Sequence, residues 1–432
     1  ALTSSDVIDF ILILGDTLNA GIPSDSSVDA SKITANVITG QSALGATPAD
    51  TDELLISDAG TLKRVDYSYL KSTAVTRPNV SPLWYNGDMA ISQRGTSFTG
   101  VTGSGQDAYY VDRMYMYMNN IGTWTFIQES LTSGNAYDAG FSKAYRVDCT
   151  TADASPAASD AFWIGMKFEG QDLQLIRKGT SSAQKMTLAF WVKSNKTGTG
   201  QVNFRDTDNS RMCSGTYTIS SANTWEHKVI NIAADTTGTF NNDTSESMQV
   251  QWWLDSGSNN TSGTAPTAWE ADNNADRCAN NLSLADNTAN DFAITGVQLE
   301  VGEYTSSTLP PFQHETYAEN LLRCQRYCVR WEADQSYSGF AQMAATTSGE
   351  AQAAIQLPVA MRTASPTFNS DGNFELYGEN ASPNVTSLST ATAECGKRVF
   401  HLKCGATLTQ GSGYLLRSDN NTSAWIQIQT EL

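Results

Sequence analysis

The sequence predicts an all-β fold: a jelly-roll β-sandwich and a second, smaller β domain, joined by a short helix and preceded by an extended N-terminal connector. Three observations carry that reading. Strand-length segments alternate apolar and polar residues with period two, the pattern of a half-buried strand. Gly- and Asn-rich turns punctuate these segments. Charged residues make up only 17% of the chain, so Ser, Thr, Asn and Gly supply the polar surface, as suits a protein of many tight turns. A length of 432 residues favours two or three folding units over one. The divisions fall at 1–80 for an N-terminal strand and connector, 81–305 for the sandwich, 306–331 for a turn and short helix, and 332–432 for the last β domain.

Within the connector, "DVIDFILILG" (6–15) is a strand-length apolar run without the basic flank of a signal peptide. The sequence does not begin with Met, and this run can be the last strand of something upstream. Residues 16–80 carry short apolar pulses separated by Ser, Thr, Asp and Gly, none long enough to own a core. Such a segment is either disordered or wraps around copies of itself.

In the sandwich segment, "AFWIGMKFEG" places Phe162, Ile164, Met166 and Phe168 on one face, and "MTLAFWVKS" does the same with Met186, Leu188, Phe190 and Val192. "MQVQWWLDS" repeats the pattern with Met248, Val250, Trp252 and Leu254. In "DFAITGVQLEVG", Phe292 and Ile294 share a parity that switches to Val297, Leu299 and Val301 across Gly296. A parity slip at a glycine predicts a β-bulge. Many strands within one such segment suggest an antiparallel jelly roll.

Thr316 followed by Glu319 makes a capping box, which predicts a helix starting near Tyr317. From there Tyr317, Leu321, Cys324, Cys328 and Trp331 recur at alternating spacings of four and three, a single seam of heptad type. A helix of about four turns is marginal alone, so the seam is expected to pack against identical neighbours. Arg323, Arg326 and Arg330, with Glu303, Glu315 and Glu319 close in sequence, are expected to form ion pairs across subunits. His314 is read as a turn or capping residue. Beyond the helix, "KRVFHLKCGATL" turns Phe400, Leu402 and Cys404 inward, "SAWIQIQTEL" reads as an alternating strand, and "LPVAMRTASPTF" as a strand leading into an edge.

Composition excludes several functions. A net charge of −18 argues against nucleic-acid or anionic-membrane partners, because too little positive charge is available to displace counterions. No run approaches the ~20 apolar residues of a membrane helix, so membrane insertion is not expected. Seven cysteines neither require nor forbid disulfides; most are read as small buried hydrophobes. Without a CxxC pair, and with only three histidines, zinc spacing is absent. "RDTDNSR" (205–211) opens like a calcium loop but has Arg211 where the loop's Gly should stand after the spaced acids, and Tyr217 at the closing Glu. No GxSxG elbow occurs, and no pair among the 45 acidic residues stands out as a glycosidase dyad. No catalytic residue, metal site or cofactor is therefore assigned. The residues do offer a binding hypothesis. Trp163, Trp191 and Trp253 all fall at outward parity on alternating strands, and flat indoles on a polar β face stack on the apolar faces of sugar rings. The competing reading is that a loop, the helix or a trimer mate covers them, since large exposed apolar patches are uncommon.

A family is recognisable in these segments. "ITGVQLEVGEYTSSTLPPFQHETYAENLLRCQRYCVRW" (294–331) resembles the junction of many bacteriophage tail fibres and related virion appendages, where a jelly roll's last strand meets a P-F-x-x-[RH] turn and a helix ending in C-Q-R-Y. "NGDMAISQRGTSFTG" (86–100) resembles the entry to the same domain, "AGIPSDSSVDASKITAN" (20–36) the linker copies of such fibres, and "DELLISDAGTLKRVDYSYLK" (52–71) another recurrent fibre segment. Cys328 departs from the pattern, standing where the family usually has an aromatic. The resemblance implies a homotrimeric structural protein of the virion, often a receptor binder; other tail proteins are expected at its N-terminal region, and the outward tryptophans make a host-surface glycan the expected receptor. A fibre or decoration protein of head or baseplate that binds no receptor, and a glycan-cleaving tail appendage, are the alternatives.

Overall fold

The computed structural model describes residues 35–71, 81–103, 106–378 and 382–432. The apolar run at 6–15 and most of the linker motif at 20–36 lie outside them. The chain divides into two compact units, Ala1–Ala74 and Val75–Leu432.

In the first unit, strands Glu53–Asp58 and Thr61–Asp66 form a hairpin around Ala59 and Gly60, whose φ values of 49° and 84° give the both-positive turn that matches strand twist. Single helical turns stand at Asn36–Thr39 and Tyr67–Leu70. The whole first strand is exposed, with Leu55 at 72%, and across the turn Leu62 is 68% exposed. Two strands with their leucines in solvent have no core of their own.

The second unit begins with the jelly-roll sandwich. Its front sheet holds seven strands in the spatial order Glu270–Ala271, Arg211–Ile219, Gly198–Asp206, Glu246–Ser256, Ala161–Glu169, Tyr115–Asn119, Gln106–Tyr109. Its back sheet holds six: Glu226–Ile232, Met186–Lys193, Asp291–Val301, Lys143–Thr151, Thr123–Ser130, Ser97–Val101. The inward parities read from sequence meet between the sheets: Phe162, Ile164, Met166 and Phe168 from one strand, Met248, Val250, Trp252 and Leu254 from its neighbour, and Leu188, Phe190, Val192, Phe292 and Ile294 from the back sheet share one core. The predicted bulge is present. Pairing of Asp291–Val301 with Met186–Lys193 slips between Thr295 and Gln298, Gly296 takes φ +59°, and Val297 turns inward. The bulge also releases the Val297 N–H to the carbonyl of Gly87, 2.9 Å away.

A buried cation ties the loops at one end of the sandwich. The Lys178 ammonium, 1% exposed, sits between the carboxylates of Asp206 and Asp235, 3.0 Å from the latter. It also donates to the carbonyls of Thr237 (3.0 Å) and Gly238 (2.9 Å), and the rings of Phe240 and Trp269 close over it. The calcium-like stretch 205–211 is the hairpin turn that supplies Asp206, whose own carboxylate accepts from Asn209.

The helix starts as predicted. The Thr316 hydroxyl accepts from the Glu319 N–H, and the Glu319 carboxylate accepts from the Thr316 N–H. It ends sooner than the heptad spacing implied, running Tyr317–Gln325. Cys328 and Trp331 lie instead on strand Cys328–Glu332, paired with Trp425–Gln429. Tyr317, Leu321, Cys324, Cys328 and Trp331 therefore do not form one helical seam: Tyr317 is exposed at 64%, Leu321 and Trp331 are half-buried, and Cys324 and Cys328 are packed inside the chain. The break falls at Arg326 and Tyr327, because both are drawn to Glu169 of the sandwich. Arg326 forks onto that carboxylate at 2.7 and 2.6 Å, and the Tyr327 hydroxyl donates to it at 2.6 Å. The arginines expected to pair across subunits have partners within the chain: Arg323 with Glu315, Arg326 with Glu169 and Arg330 with Glu332. Glu303 takes Lys185 and Glu319 caps the helix. His314 stands in the turn before the helix, packed against Phe312 and Phe141.

Residues beyond the helix build a second pair of sheets, with strands Cys328–Glu332, Trp425–Gln429 and Thr367–Asp371 in one and six strands in the other. Phe400, Leu402 and Cys404 point into their core with Leu376, Leu416, Ile426 and Ile428. Glu431 locks this part to the sandwich: its carboxylate joins Arg94 at 2.7 Å and Arg113 at 2.6 Å, and the Arg113 guanidinium lies 3.5 Å from the Tyr327 ring centre. All seven cysteines are free thiols, and burial pushes the Cys324 and Cys328 groups well above the ordinary thiol range. The cysteine pair is packing, held where two β bodies meet.

Candidate functional site

Outward side chains of the front sheet stand in cross-strand rows. One row runs Tyr117, Trp163, Trp253, Gln201; the next runs Tyr115, Gly165, Gln251, Asn203; a third runs Lys167, Gln249, Arg205. Strand alternation places them there, since Trp252 and Ile164 between them turn into the core. Gly165 adds no side chain to its row, and none would fit: a Cβ would lie 1.8 Å from the Val250 carbonyl oxygen.

Segment 257–281 folds over one side of this face and turns it into a cleft of about 430 Å³, lined by Tyr115, Tyr117, Trp163, Trp253, Gln249, Gln251, Arg205, Arg277, Asn259, Asn260, Asn274, Ser159 and Ala161. The covering segment is pinned to the floor. Gln201 donates to the Asp276 carbonyl and Asn203 to the Arg277 carbonyl, each at 2.7 Å. The Asp276 carboxylate in turn accepts from the Thr264 N–H at 2.8 Å.

Two sets of groups give the cleft its chemistry. The rings form a cluster: Tyr117 stacks on Trp163 with centroids 6.1 Å apart, and Tyr115 leans on Trp163 at 4.9 Å. Trp163 and Trp253 are only 6% and 3% exposed, so they wall the cleft, and Tyr117, half-buried, is its more open ring. The polar set is a relay. Trp253 Nε1 donates to Gln251 Oε1 (3.0 Å), Gln251 Nε2 to Gln249 Oε1 (2.5 Å), and Gln249 Nε2 to Glu246 (2.6 Å). Arg205 also donates to Gln249 Oε1, at 3.0 Å. Each amide is thereby fixed in orientation before any ligand arrives.

Arg205 and Arg277 both grip Asp272, the first at 2.9 and 2.7 Å, the second at 3.0 and 2.6 Å. Burial raises the Asp272 carboxyl, but the hydrogen bond from Arg277 and the charges of Arg205 and Arg277 outweigh it and hold the group below its ordinary 3.8. Asp272 therefore stays ionised and orients both guanidinia toward the cleft.

The three tryptophans singled out by parity do point away from the core, but not to one face. Trp191 lies on the back sheet, in a separate groove of about 350 Å³ with Phe141, Phe312, Leu309, Pro310 and His227. The His227 ring lies 5.0 Å from it, and burial, then the charge of Lys228, lowers the imidazole below its ordinary 6.5. Sequence reasoning missed Tyr117, Gln251, Arg205 and Arg277. Tyr117 had a signal in the run "YMYMN", where tyrosines and methionines alternate; the arginines had none, because Arg205 and Asp272 are 67 residues apart.

The sequence matches no known family model and no curated protein. Among solved structures, the enzymatically active domain of tailspike protein 4 of bacteriophage CBA120 is similar at 12% identity and a TM-score of 0.25, covering 47% of this chain and 21% of that one. The family 11 carbohydrate-binding module of a Clostridium thermocellum cellulosomal cellulase is similar at 8% identity and a TM-score of 0.22, covering 47% of this chain and 99% of the module. A cyclase from a Fischerella species, in its apo form, reaches 9% identity and a TM-score of 0.25, covering 51% of this chain and 95% of the enzyme. Likenesses this distant decide nothing about function.

Proposed function

We propose that this chain is a non-enzymatic virion appendage, a tail fibre or a close relative of one, that attaches to a surface glycan through the front-sheet cleft. The cleft carries the reading. Sugar rings offer apolar C–H faces and a hydroxyl edge, and the cleft offers an aromatic cluster at Tyr117, Trp163 and Trp253 beside oriented amides at Gln249 and Gln251. Its lining includes no carboxylate side chain, whereas the common route of glycoside cleavage needs two, which favours holding over cutting. The virion assignment rests on the resemblance of 294–331 to the fibre junction. Self-association is supported by the exposed leucines of hairpin 53–66; three copies are what the resemblance implies, and the N-terminal region is then the part that meets other tail proteins. Several weak sites held on one particle give firm attachment without any tight single site.

The test is a titration of the full chain with a panel of bacterial surface polysaccharides, followed by aromatic emission, with the mass of the chain in solution measured alongside. Saturable binding is expected, weakened about tenfold (about 1.4 kcal/mol) by Tyr117→Ala and unchanged by Trp191→Ala, which lies on the other sheet. No new reducing ends should form. Binding indifferent to Tyr117→Ala, or a rise in reducing ends, would remove the glycan reading; a monomeric mass would remove the fibre reading.

A further inference from the structure

We infer that the glycan taken by this cleft is an acidic one, bearing a carboxylate on the sugar that reaches Arg277. The inference rests on the glycan-binding reading above and adds the ligand's charge to it.

Charges and free donors in the cleft both favour an anion. The charged side chains lining the cleft are Arg205 and Arg277, and they share a single carboxylate, Asp272. Two cations against one anion leave one positive charge on the cleft wall, in a chain whose net charge is −18. Lys167 does not add to it, because Glu246 stands 3.4 Å from its ammonium. The donors are also unevenly used. Arg205 places Nε and Nη2 on Asp272 and Nη1 on Gln249. Arg277 places only Nε and Nη2 on Asp272; its Nη1, with two N–H groups, has no partner among the described residues. A guanidinium held flat by one carboxylate, with one nitrogen open beside an aromatic cluster, is a ready site for a second carboxylate. Tyr117 and Arg277 line the same cleft from strands and segments on opposite sides of it, which suits an oligosaccharide that packs one ring on the aromatic wall and presents the acid group of another to Arg277. A neutral sugar would leave that charge uncompensated within a partly enclosed cleft.

The experiment uses the full chain and matched probes that differ only in charge: short oligomers of galacturonate, mannuronate and N-acetylneuraminate, each beside its methyl ester, with dextran and cellulose oligomers as neutral controls. The expected result is that at least one acid binds ten times or more tighter than its own ester. Arg277→Gln should abolish that preference and Arg277→Lys, which keeps the charge, should retain it, with thermal melts showing that both variants fold. An ester that binds as well as its acid, a preference that survives Arg277→Gln, or binding of neutral oligomers alone would overturn the inference and leave the glycan reading standing. Failure of every acid while a surface polysaccharide still binds through Tyr117 would also overturn it. Failure of all glycans would sink the underlying reading itself.

Discussion

Trp252 and Trp253 are chain neighbours with opposite roles. Trp252 is fully buried, edge-on to Phe190 and Trp84 at 5.2 and 5.4 Å, and Trp253 walls the cleft and starts its relay. Parity alone separates them, and parity was legible in the sequence. Which sheet a strand joins was not: Trp191 has the same local pattern as Trp163 and ends on the opposite side of the molecule. Glu169 shows the same limit for charge. It ends a strand that alternates in sequence, yet it is the acceptor for Arg326 and Tyr327, more than 150 positions away along the chain, as the separations of 157 and 158 residues show. Its carboxylate is fully enclosed, so replacing it strands a guanidinium and a hydroxyl together. Glu169→Ala is expected to cost about 3 kcal/mol in a chemical denaturation curve, and a loss below about 1 kcal/mol would mean the junction is held by its apolar contacts alone.

Elements were read best where their signal is local. The capping box fixes a helix start within one turn, and the glycine slip fixes a bulge within two residues. The helix end was misread because alternating spacings of four and three continued past Gln325 into a strand, where Cys328 and Trp331 answer to pairing with Gln429 and Ile426. What ends the helix is tertiary, the pull of Glu169 on Arg326 and Tyr327, and no window of sequence contains it. The bulge makes a sharp prediction of its own. Gly296 has φ +59°, and a Cβ there would stand 2.7 Å from the Phe141 ring and 2.9 Å from Trp191. Gly296→Ala should therefore destabilise by about 1–3 kcal/mol and perturb the back-sheet groove while leaving the glycan binding proposed for the front-sheet cleft unchanged. Calorimetry and the polysaccharide titration, run on the same variant, separate those two effects.

At the scale of the whole molecule, acid should undo the sandwich through its paired carboxylates. Burial raises Asp235, but the hydrogen bonds from Arg211, the Thr237 N–H and Lys178 outweigh it, and the group lies below its ordinary 3.8, as Asp272 does. Each contributes stability that is complete above that value and is lost as the pH falls through the lower folded value. The gap in melting temperature between the wild type and Asp272→Asn should therefore be widest at neutral pH and shrink as the pH falls below about 4. The alternating strands of the sandwich and of the later sheets were legible one by one; the way Glu431 and Arg113 join these parts was not, since 318 residues separate the pair. Lys178 has the widest reach of all. Its ammonium stands among two carboxylates and two carbonyls, an oxygen cage of the kind that elsewhere takes a divalent ion. Chelator should leave the melt unchanged, whereas Lys178→Met, which strands two carboxylates, should lose about 3–5 kcal/mol in a denaturation curve. Because the cation at this end of the sandwich is a side chain of the chain itself, the loops it ties should hold their places whatever divalent ions surround them.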